Sequence, residues 1–208
     1  SQDRAAGVAL AEDAGADVIL LDDGHQNPSV PKSLNLVIVD ATIGFGNGRV
    51  LPAGPLREPI TVGLKRTDFV ISIGDAAAQS AFRENWGAQI TVPLATAELE
   101  LLETGMDWKG QNVLAFAGIG HPEKFFRTVR QTGAKLLRAE ALDDHQPLTD
   151  ALMKRLELEA VALGAQLVTT EKDAVRLPPS FRQKVLALPV RLRFREDAGL
   201  SDRLSMLF

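Results

Sequence analysis

Two adjacent carboxylates, Asp22 and Asp23, follow the apolar segment 18–21 and precede Gly24. If that segment is a buried strand, both acids lie at the carboxyl edge of a sheet, where open α/β folds bind their ligands. Carboxylate oxygens suit Mg²⁺, which usually binds protein carboxylates together with substrate phosphates and water. Acids that follow a strand also commonly begin a solvated turn with a glycine. The spacing alone therefore leaves a metal site and a plain turn both open.

A glycine-rich loop, residues 44–59, supplies a second candidate chemistry. Its glycines allow close approach of the backbone to a ligand, and the guanidinium groups of Arg49 and Arg57 suit bidentate contacts with phosphate. Loops this long inside a compact domain are often functional, although a structural excursion with surface arginines explains the same residues. The loop is not a Walker A sequence, because no Gly-Lys-Thr or Gly-Lys-Ser string occurs in the chain.

Three further polar segments combine residues that can do chemistry, and each also has a simpler structural explanation. The adjacent Asp144 and His145 predict either a proton-transfer pair or a structural histidine near a helix start. Residues 169–174 place two acids and a lysine after a predicted strand, which favours ion pairing at the surface. Residues 118–122 predict a strand-to-helix turn, which either binds an anion through its backbone N–H groups or is simply tight.

The elements that must position these side chains alternate between short apolar runs and amphipathic stretches. The strands are predicted at residues 17–21, 34–39, 68–73, 112–117, 135–138, 166–170 and 190–194. The principal helices are predicted at residues 5–14, 75–86, 122–131 and 149–163. Continuous apolar strands separated by helices are typical of a parallel sheet covered on both faces, so the sequence predicts an α/β fold.

The character of the sequence changes after Gly87, which divides the chain into two α/β units. Two short strands are predicted next, at residues 89–93 and 98–102, ahead of a turn-rich connector. We therefore predict, in chain order, a first domain, a two-stranded linker and a smaller second domain at residues 1–88, 89–111 and 112–208.

The composition is that of a globular protein, with 45% hydrophobic and 24% charged residues. The net charge of −4 argues against a nucleic-acid partner, and the absence of cysteine excludes disulfides and thiolate metal sites. No apolar run approaches the roughly 20 residues that span a bilayer, so no transmembrane segment is predicted. A cytoplasmic protein is therefore the expectation.

Six strings in the chain, taken in order, match those of one known protein family. They are Leu-Asp-Asp-Gly-His-Gln, Gly-Phe-Gly-Asn-Gly-Arg, Leu-Pro-Ala-Gly-Pro-Leu-Arg-Glu-Pro, Ala-Gly-Ile-Gly, Asp-His-Gln-Pro and Thr-Glu-Lys-Asp-Ala-Val, at residues 21–26, 44–49, 51–59, 117–120, 144–147 and 170–175. On these strings the chain resembles the tetraacyldisaccharide 4′-kinase family, from about residue 2 to residue 195.

The resemblance implies an ATP-dependent kinase that phosphorylates the 4′-hydroxyl of a tetraacyldisaccharide 1-phosphate, a glycolipid precursor of lipid A in lipopolysaccharide. It implies a P-loop-kinase-like parallel sheet and a smaller C-terminal α/β domain. By resemblance, Asp22 and Asp23 hold Mg²⁺, directly or through water, and Arg57 acts on phosphate at the active site. His145, with Asp144 beside it, corresponds to a histidine that assists an aspartate base in activating the sugar hydroxyl.

Two features depart from the pattern of the family. The family usually has Phe at position 25 and His at position 27, where this chain has His25 and Asn27. The family's Walker A loop, aspartate base and membrane-docking N-terminal helix precede the matched residues. We therefore predict that the sheet is incomplete at its N-terminus and that the chain alone is inactive. The expected peripheral contact with the cytoplasmic face of the inner membrane would depend on that N-terminal region.

Two other functions are compatible with part of the sequence. A non-catalytic nucleotide- or glycolipid-binding fragment would retain part of the kinase site without turnover. A metal-dependent phosphoesterase would use Asp22, Asp23 and His145. The second alternative needs more convergent ligands than the sequence offers, because no His-x-His or His-Glu-x-x-His spacing occurs.

Overall fold

The structure of the chain, a computed structural model, describes residues 3–102, 105–143 and 146–207. The chain divides into two compact units. The first unit comprises residues 1–99 and 192–208, and the second comprises residues 100–191.

Helices and strands alternate along most of the chain. Up to residue 101 they are α1 (Arg4–Asp13), β1 (Leu36–Asp40), α2 (Ile60–Gly63), β2 (Phe69–Ile73), α3 (Ala76–Trp86) and β3 (Leu94–Leu101). They continue with β4 (Asn112–Ala117), α4 (Pro122–Gln131), β5 (Lys135–Ala141), α5 (Asp150–Leu163), β6 (Gln166–Thr170), α6 (Glu171–Ala174), α7 (Pro179–Arg182), β7 (Val185–Leu188), β8 (Val190–Glu196) and α8 (Leu200–Ser205). Single turns of 3₁₀ helix lie at Leu64–Arg66 and Gly87–Gln89.

The first unit is built on a four-stranded sheet in the order β1-β2-β3-β8, in which β1, β2 and β3 run parallel. Successive side chains of a strand point to opposite faces of the sheet. Val70 of β2 accordingly packs in one core cluster with Phe82, whereas Ile71 packs in another with Leu200. Both faces of β2 are therefore covered, which explains its continuous apolar sequence.

Helix α3 covers one face of this sheet and also anchors the glycine-rich loop. The side chain of Asp75 caps the helix by accepting a hydrogen bond from the backbone N–H of Ala78 at 2.9 Å. Phe82 is only 1% exposed. At the other end of the helix, Trp86 meets Phe45 edge to face, with ring centroids 5.4 Å apart. Helix α3 therefore contacts the core through Phe82 and the glycine-rich loop through Trp86.

The second unit contains a fully parallel sheet in the order β5-β4-β6-β7. The central strand β4 is buried from Val113 to Ala117. Phe116 packs in a cluster with Leu156 of α5, and Ala115 packs in a second cluster with Phe126 of α4. This sheet with helices on both faces confirms the predicted α/β class for the second unit.

Two predicted strands do not form. Residues 17–21 have no regular structure, and Leu20 is 91% exposed. A strand needs a hydrogen-bonded neighbour, and none of the strands in the described ranges pairs with this segment. Residues 89–93 also form no strand, and the single strand β3 replaces the short strand predicted at residues 98–102. Both segments have a composition typical of strands, but strand formation also requires a neighbouring strand with which to pair.

The C-terminal segment 192–208 groups with the first unit, although the sequence analysis assigned it to the second domain. Strand β8 lies beside β3, and Leu200 packs against a cluster that contains Phe69 and Ile71. Leu200 is 5% exposed, so this contact belongs to the core. None of the helices in the part of the chain that the structure describes has the length and apolarity needed to cross a membrane.

Candidate functional site

The acidic turn, residues 21–26, presents both candidate metal ligands at the surface, since Asp22 and Asp23 are exposed. Asp23 has a left-handed φ of 52°, a conformation that Asp, Asn and Gly adopt more readily than other residues. Gly24 is buried, and a Cβ atom there would lie 2.6 Å from the side chain of Leu21. The backbone conformation of the turn therefore favours an aspartate, asparagine or glycine at position 23 and a glycine at position 24.

The glycine-rich loop packs closely on the indole of Trp86. Gly44 has a φ of 59°, and a Cβ atom there would lie 2.2 Å from Nε1 of Trp86. Gly48 has a φ of 71°, and its Cβ would lie 3.3 Å from the same ring. At these two positions the loop requires glycine both for the backbone conformation and for the close approach.

The same loop is closed by its own hydrogen bonds. Asn47 Nδ2 donates to the backbone oxygen of Ala53 at 2.8 Å, and the backbone N–H of Leu56 donates to the oxygen of Arg49 at 3.2 Å. Arg57 follows directly, is exposed, and makes no hydrogen bond or ion pair with any residue in the described ranges. Its guanidinium group is therefore available to a phosphate or another anion.

Glu58 joins the acidic turn to the glycine-rich loop, and we call this contact the Glu58 bridge. Gln26 Nε2 donates to Glu58 Oε1 at 2.7 Å, and the guanidinium group of Arg66 forms a close ion pair with the same oxygen. Arg66 Nε also donates to the backbone oxygen of His25 at 3.4 Å. The hydrogen bonds from Arg66 and Gln26 hold the pKa of Glu58 below its ordinary value. The carboxylate of Glu58 is therefore ionised at neutral pH.

His25 lies inside this network as a neutral ring. Its Nδ1 atom is buried and has no hydrogen-bond partner among the described residues. Its Nε2 atom lies 3.4 Å from the hydroxyl oxygen of Thr67, which donates its only proton to the backbone oxygen of Gly63 at 3.0 Å. Burial, and then the nearby charge of Arg66, lower the pKa of His25.

A cleft of about 560 Å³ lies between the residues that follow the acidic turn and the end of the loop. Three cations, Lys32, Arg57 and Arg66, line it together with a single acid, Glu58. Because Glu58 is already paired with Arg66, the cleft keeps an excess of positive charge. A cleft lined by one sign of charge attracts ligands of the opposite sign, so this one suits an anion.

The acidic turn fits one kind of metal site. Within residues 3–102, 105–143 and 146–207, no three His, Cys, Asp or Glu side chains converge on a point that could hold a metal ion. Arg4 Nη1 donates to the backbone oxygen of Asp22 at 2.7 Å. This hydrogen bond does not involve the side-chain carboxylate of Asp22. The exposed carboxylates of Asp22 and Asp23 suit Mg²⁺, which completes its shell with phosphates and water. They do not supply the nitrogen and sulfur ligands that zinc prefers.

The burial of Asp173, which is 0% exposed, bears on two predicted segments of the second unit, residues 118–122 and 169–174. The backbone N–H of Gly118 donates to Asp173 Oδ2 at 3.0 Å, so it is not free to bind an anion. Asp173 Oδ2 also accepts from the hydroxyl of Thr170 at 2.8 Å, and Oδ1 pairs with Arg176 at 3.3 Å. This acid of the segment 169–174 is therefore an internal connector and not part of a surface ion pair.

The predicted proton-transfer pair, Asp144 and His145, lies outside the described residues. Its neighbours Asp143 and Gln146 bond to each other, since the N–H of Asp143 donates to Gln146 Oε1 and the N–H of Gln146 donates to the oxygen of Asp143, both at 2.9 Å. In the first unit the structure brings together the acidic turn and the segment that carries Arg57. The roles of all five predicted site residues stay predictions.

Three residues of the site escaped the sequence analysis, namely Gln26, Glu58 and Arg66. Gln26 and Glu58 lie within two of the matching strings, three residues after Asp23 and one residue after Arg57, and that proximity was the available signal. Arg66 lies outside every matching string, so only the fold identifies it as a partner of Glu58.

Comparison with known proteins agrees with the strings in the sequence. The model of the family described as tetraacyldisaccharide-1-P 4′-kinase matches residues 1–208. The chain is 56% identical over 209 residues to the tetraacyldisaccharide 4′-kinase of Dinoroseobacter shibae, covering 100% of the chain and 62% of that relative. It is 59% identical over 202 residues to the tetraacyldisaccharide 4′-kinase of Jannaschia sp., covering 97% of the chain and 61% of that relative.

A solved structure shares the fold. The crystal structure of LpxK from Aquifex aeolicus in complex with ATP matches 97% of this chain and 61% of that chain, with a TM-score of 0.69 and 23% sequence identity. This likeness confirms the predicted α/β fold of the P-loop-kinase type. The chain spans about three fifths of the length of the curated relatives named above and matches their C-terminal portion. Because the family model matches every residue of the chain, the chain belongs to the tetraacyldisaccharide-1-P 4′-kinase family.

Proposed function

We propose that the protein containing this chain transfers the γ-phosphate of ATP to the 4′-hydroxyl of a tetraacyldisaccharide 1-phosphate, a step in lipid A biosynthesis. The observation that carries the proposal is the Glu58 bridge, which links the acidic turn to the segment beginning at Arg57. Phosphoryl transfer depends mainly on positioning and on neutralising charge, and these two segments supply acids for a metal and a free cation for phosphate. Membership of the family supports the same reaction.

In this proposal the first unit holds the phosphates. Asp22 and Asp23 would hold Mg²⁺, directly or through water, and the bound ion would neutralise charge on the phosphate oxygens. Arg57 donates from its planar guanidinium group to the phosphate that is transferred. The excess of positive charge in the neighbouring cleft increases the local concentration of the anionic nucleotide.

The second unit contributes to proton transfer from the sugar hydroxyl. Asp144 orients His145, and His145 assists the base that takes the proton from the attacking 4′-hydroxyl. The acceptor substrate is a glycolipid with acyl chains, and ATP is available on the cytoplasmic side of the inner membrane. We therefore place the reaction at that face, with the protein bound peripherally.

We further propose that these 208 residues alone bind ligand without turnover, which is the second candidate function. The chain contains no Gly-Lys-Thr or Gly-Lys-Ser string, so it lacks the backbone cradle and lysine that hold the phosphates in P-loop kinases. Without that cradle the reacting atoms are not held in line, and the main source of catalysis is lost.

The test measures transfer of labelled γ-phosphate from Mg·ATP to tetraacyldisaccharide 1-phosphate in detergent. Two proteins are compared: the 208-residue chain, and a fusion in which the part of the Dinoroseobacter shibae relative that precedes the matched region is joined ahead of Ser1. The identity of 56% makes that relative a suitable donor. We expect transfer by the fusion and none by the chain.

Variants of the fusion separate the proposed roles from general effects. Arg57→Ala should lower kcat sharply, whereas Lys65→Ala removes an exposed cation of the same unit and should leave kcat unchanged. Transfer by the chain alone would contradict the proposal that it only binds. If the fusion binds ATP but transfers no phosphate, the result would favour the second candidate function, ligand binding without turnover, over the kinase reaction.

A further inference from the structure

Four cations of the second unit lie together near the amino edge of its sheet. Lys109 precedes β4, Lys135 begins β5, and Arg127 and Arg130 lie in the second half of α4. The two arginines are three residues apart, so their side chains extend from the same face of the helix. All four residues are exposed, and we call them the basic patch.

Backbone hydrogen bonds hold together the segments that carry the basic patch. The N–H of Gly110 donates to the oxygen of Gly133 at 2.9 Å, and the N–H of Lys135 donates to the oxygen of Gln111 at 2.7 Å. A Cβ atom on Gly133, just beyond the end of α4, would lie 3.6 Å from the Cα atom of Lys109. The turn before β4, the end of α4 and the start of β5 are therefore direct neighbours.

The charges of the basic patch are not paired. None of the four side chains forms a hydrogen bond or an ion pair with a residue in the part of the chain that the structure describes. By contrast, Arg138 and Arg155 of the same unit both pair with Glu140. Asp107, the acid closest in sequence to Lys109, accepts a hydrogen bond from the backbone N–H of Lys109 at 3.0 Å. The patch therefore keeps an excess of positive charge, although the whole chain has a net charge of −4.

Apolar side chains lie in the turn that carries Lys109. Met106 is 39% exposed, and the half-buried Trp108 packs against the core cluster that contains Phe126. Cations attract anionic lipid headgroups, and tryptophan is favoured at the level of those headgroups. A single-stranded nucleic acid instead needs exposed aromatic rings on which its bases stack, whereas Phe125 and Phe126 of α4 are buried. The surface therefore suits a lipid bilayer better than a nucleic acid.

We propose that the basic patch binds an anionic lipid bilayer and is the membrane-contacting surface of the second unit. The peripheral location of the protein rests on the proposed function, whereas the choice of surface rests on charge and exposure within this unit. The patch lies near the amino edge of the sheet. Contact there leaves open the carboxyl edge, where α/β folds bind their ligands.

The first test measures sedimentation of the 208-residue chain with lipid vesicles. We expect binding to phosphatidylcholine vesicles that contain about 30% phosphatidylglycerol and little binding to pure phosphatidylcholine. One cation near an anionic bilayer strengthens binding about fivefold, so Arg127→Ala combined with Arg130→Ala should weaken it by roughly 10- to 30-fold. Salt at about 0.5 M should release the chain, because it screens these charges.

Lys154→Ala is the matched control. Lys154 is also an exposed cation without a partner among the described residues, but it lies on α5. Helices α4 and α5 pack in different core clusters, on opposite faces of the sheet. Because a charge more than a Debye length from the bilayer is screened, this variant should change binding by less than about twofold.

The second test locates the contact on the chain with all four cations intact. The chain contains no cysteine, so a nitroxide label can be attached to a single introduced cysteine. Gln131→Cys places the label on an exposed residue beside Arg130, and Lys154→Cys places it on α5. On the anionic vesicles, the label at position 131 should collide less often with a water-soluble nickel chelate. The label at position 154 should keep the collision rate that it has in solution.

Neither test measures phosphate transfer, so this inference and the proposed function can fail separately. Absence of binding to the anionic vesicles, or equal losses in the double arginine variant and Lys154→Ala, would overturn the inference. Tighter binding to a single-stranded oligonucleotide than to the vesicles would identify a nucleic acid as the partner and overturn it as well. If the arginine variant melts early, the labels still decide, and equal protection at positions 131 and 154 would contradict the assigned surface.

Discussion

Gln26 donates a hydrogen bond to Glu58 across 2.7 Å, although 32 residues separate them in the sequence. Each of the two follows a candidate functional residue closely, Asp23 in one segment and Arg57 in the other. The bond therefore connects the segment that carries the two acids with the segment that carries Arg57. Arg66 strengthens the connection by pairing with the same carboxylate oxygen.

Removal of the Glu58 carboxylate should misplace the acidic turn relative to Arg57. In the fusion protein we expect Glu58→Ala to lower kcat by about tenfold or more, because the positions of the charged groups determine the rate. The melting temperature should change little, because the lost contacts lie near the surface. Glu84→Ala, which removes an exposed acid of the same unit, is the matched control and should retain full activity. Equal kcat values in the two variants would show that the bridge has no role in the reaction.

His25 should make the chain less stable as the pH falls from about its unfolded pKa of 6.5. Burial and the charge of Arg66 lower the pKa of His25 in the folded chain, so the unfolded chain binds a proton first. The stability from the neutral ring is fully present above the unfolded pKa and is lost as the pH falls through the folded one. His25→Phe, with an apolar ring of similar shape, should remove this loss.

The measurement is the urea midpoint of the chain and of His25→Phe at about pH 7.5 and about pH 5.5. The midpoint of the unchanged chain should fall more between these values than that of the variant. Glu58 also has a lowered pKa, but its stabilisation is present above its unfolded value of 4.5 and is lost only at more acid pH. A parallel fall of both midpoints would mean that groups other than His25 cause it.

The contact between Gly44 and Trp86 predicts a position-specific effect of alanine. Gly44→Ala should destabilise the chain by roughly 2–4 kcal/mol, because it combines a left-handed φ with a collision against a rigid ring. Gly48→Ala should cost roughly 1 kcal/mol, since its Cβ has more room and mainly the backbone is strained. Chemical denaturation followed by tryptophan fluorescence measures both. Equal losses would indicate that the loop does not rest on Trp86 as described.

The acidic turn should lose metal binding without losing its shape when its acids become amides. Asp23→Asn keeps a residue type that tolerates the left-handed φ at this position, whereas Asp23→Ala would add strain. In the fusion protein with ATP, we expect Asp22→Asn and Asp23→Asn to weaken Mn²⁺ binding, measured by water proton relaxation, and to lower kcat by about 100-fold or more. Unchanged Mn²⁺ binding would assign the metal to other residues.

The sequence predicts the elements whose own pattern decides their structure. The apolar strand at residues 112–117 and the helix at 122–131, which begins with Pro122, appear where they were expected. The apolar segment 17–21 has an equally strong strand pattern, yet it has no strand partner within the described residues. Local pattern therefore identified candidates for strands, and long-range pairing decided which of them form.

The candidate site shows the same division between local and long-range information. Asp22, Asp23 and Arg57 were predicted as site residues because their neighbours in sequence form recognisable strings. The Glu58 bridge was missed because it depends on the distance between two loops. The burial of Asp173 was missed for a related reason, because its partner Gly118 lies 55 residues away in the sequence. Charge and spacing in one sequence do not reveal such pairs.

The return of residues 192–208 to the first unit sets an order for folding on the ribosome. At about 5–20 residues per second, synthesis passes from the end of the second unit at Arg191 to the end of α8 at Ser205 in about 1–3 s. Until then β3 has an unpaired edge, and the core position of Leu200 beside Phe69 and Ile71 stays unfilled. The unit that starts first is thus completed last, and a ribosome stalled after β7 would leave it as the exposed, aggregation-prone half of the chain.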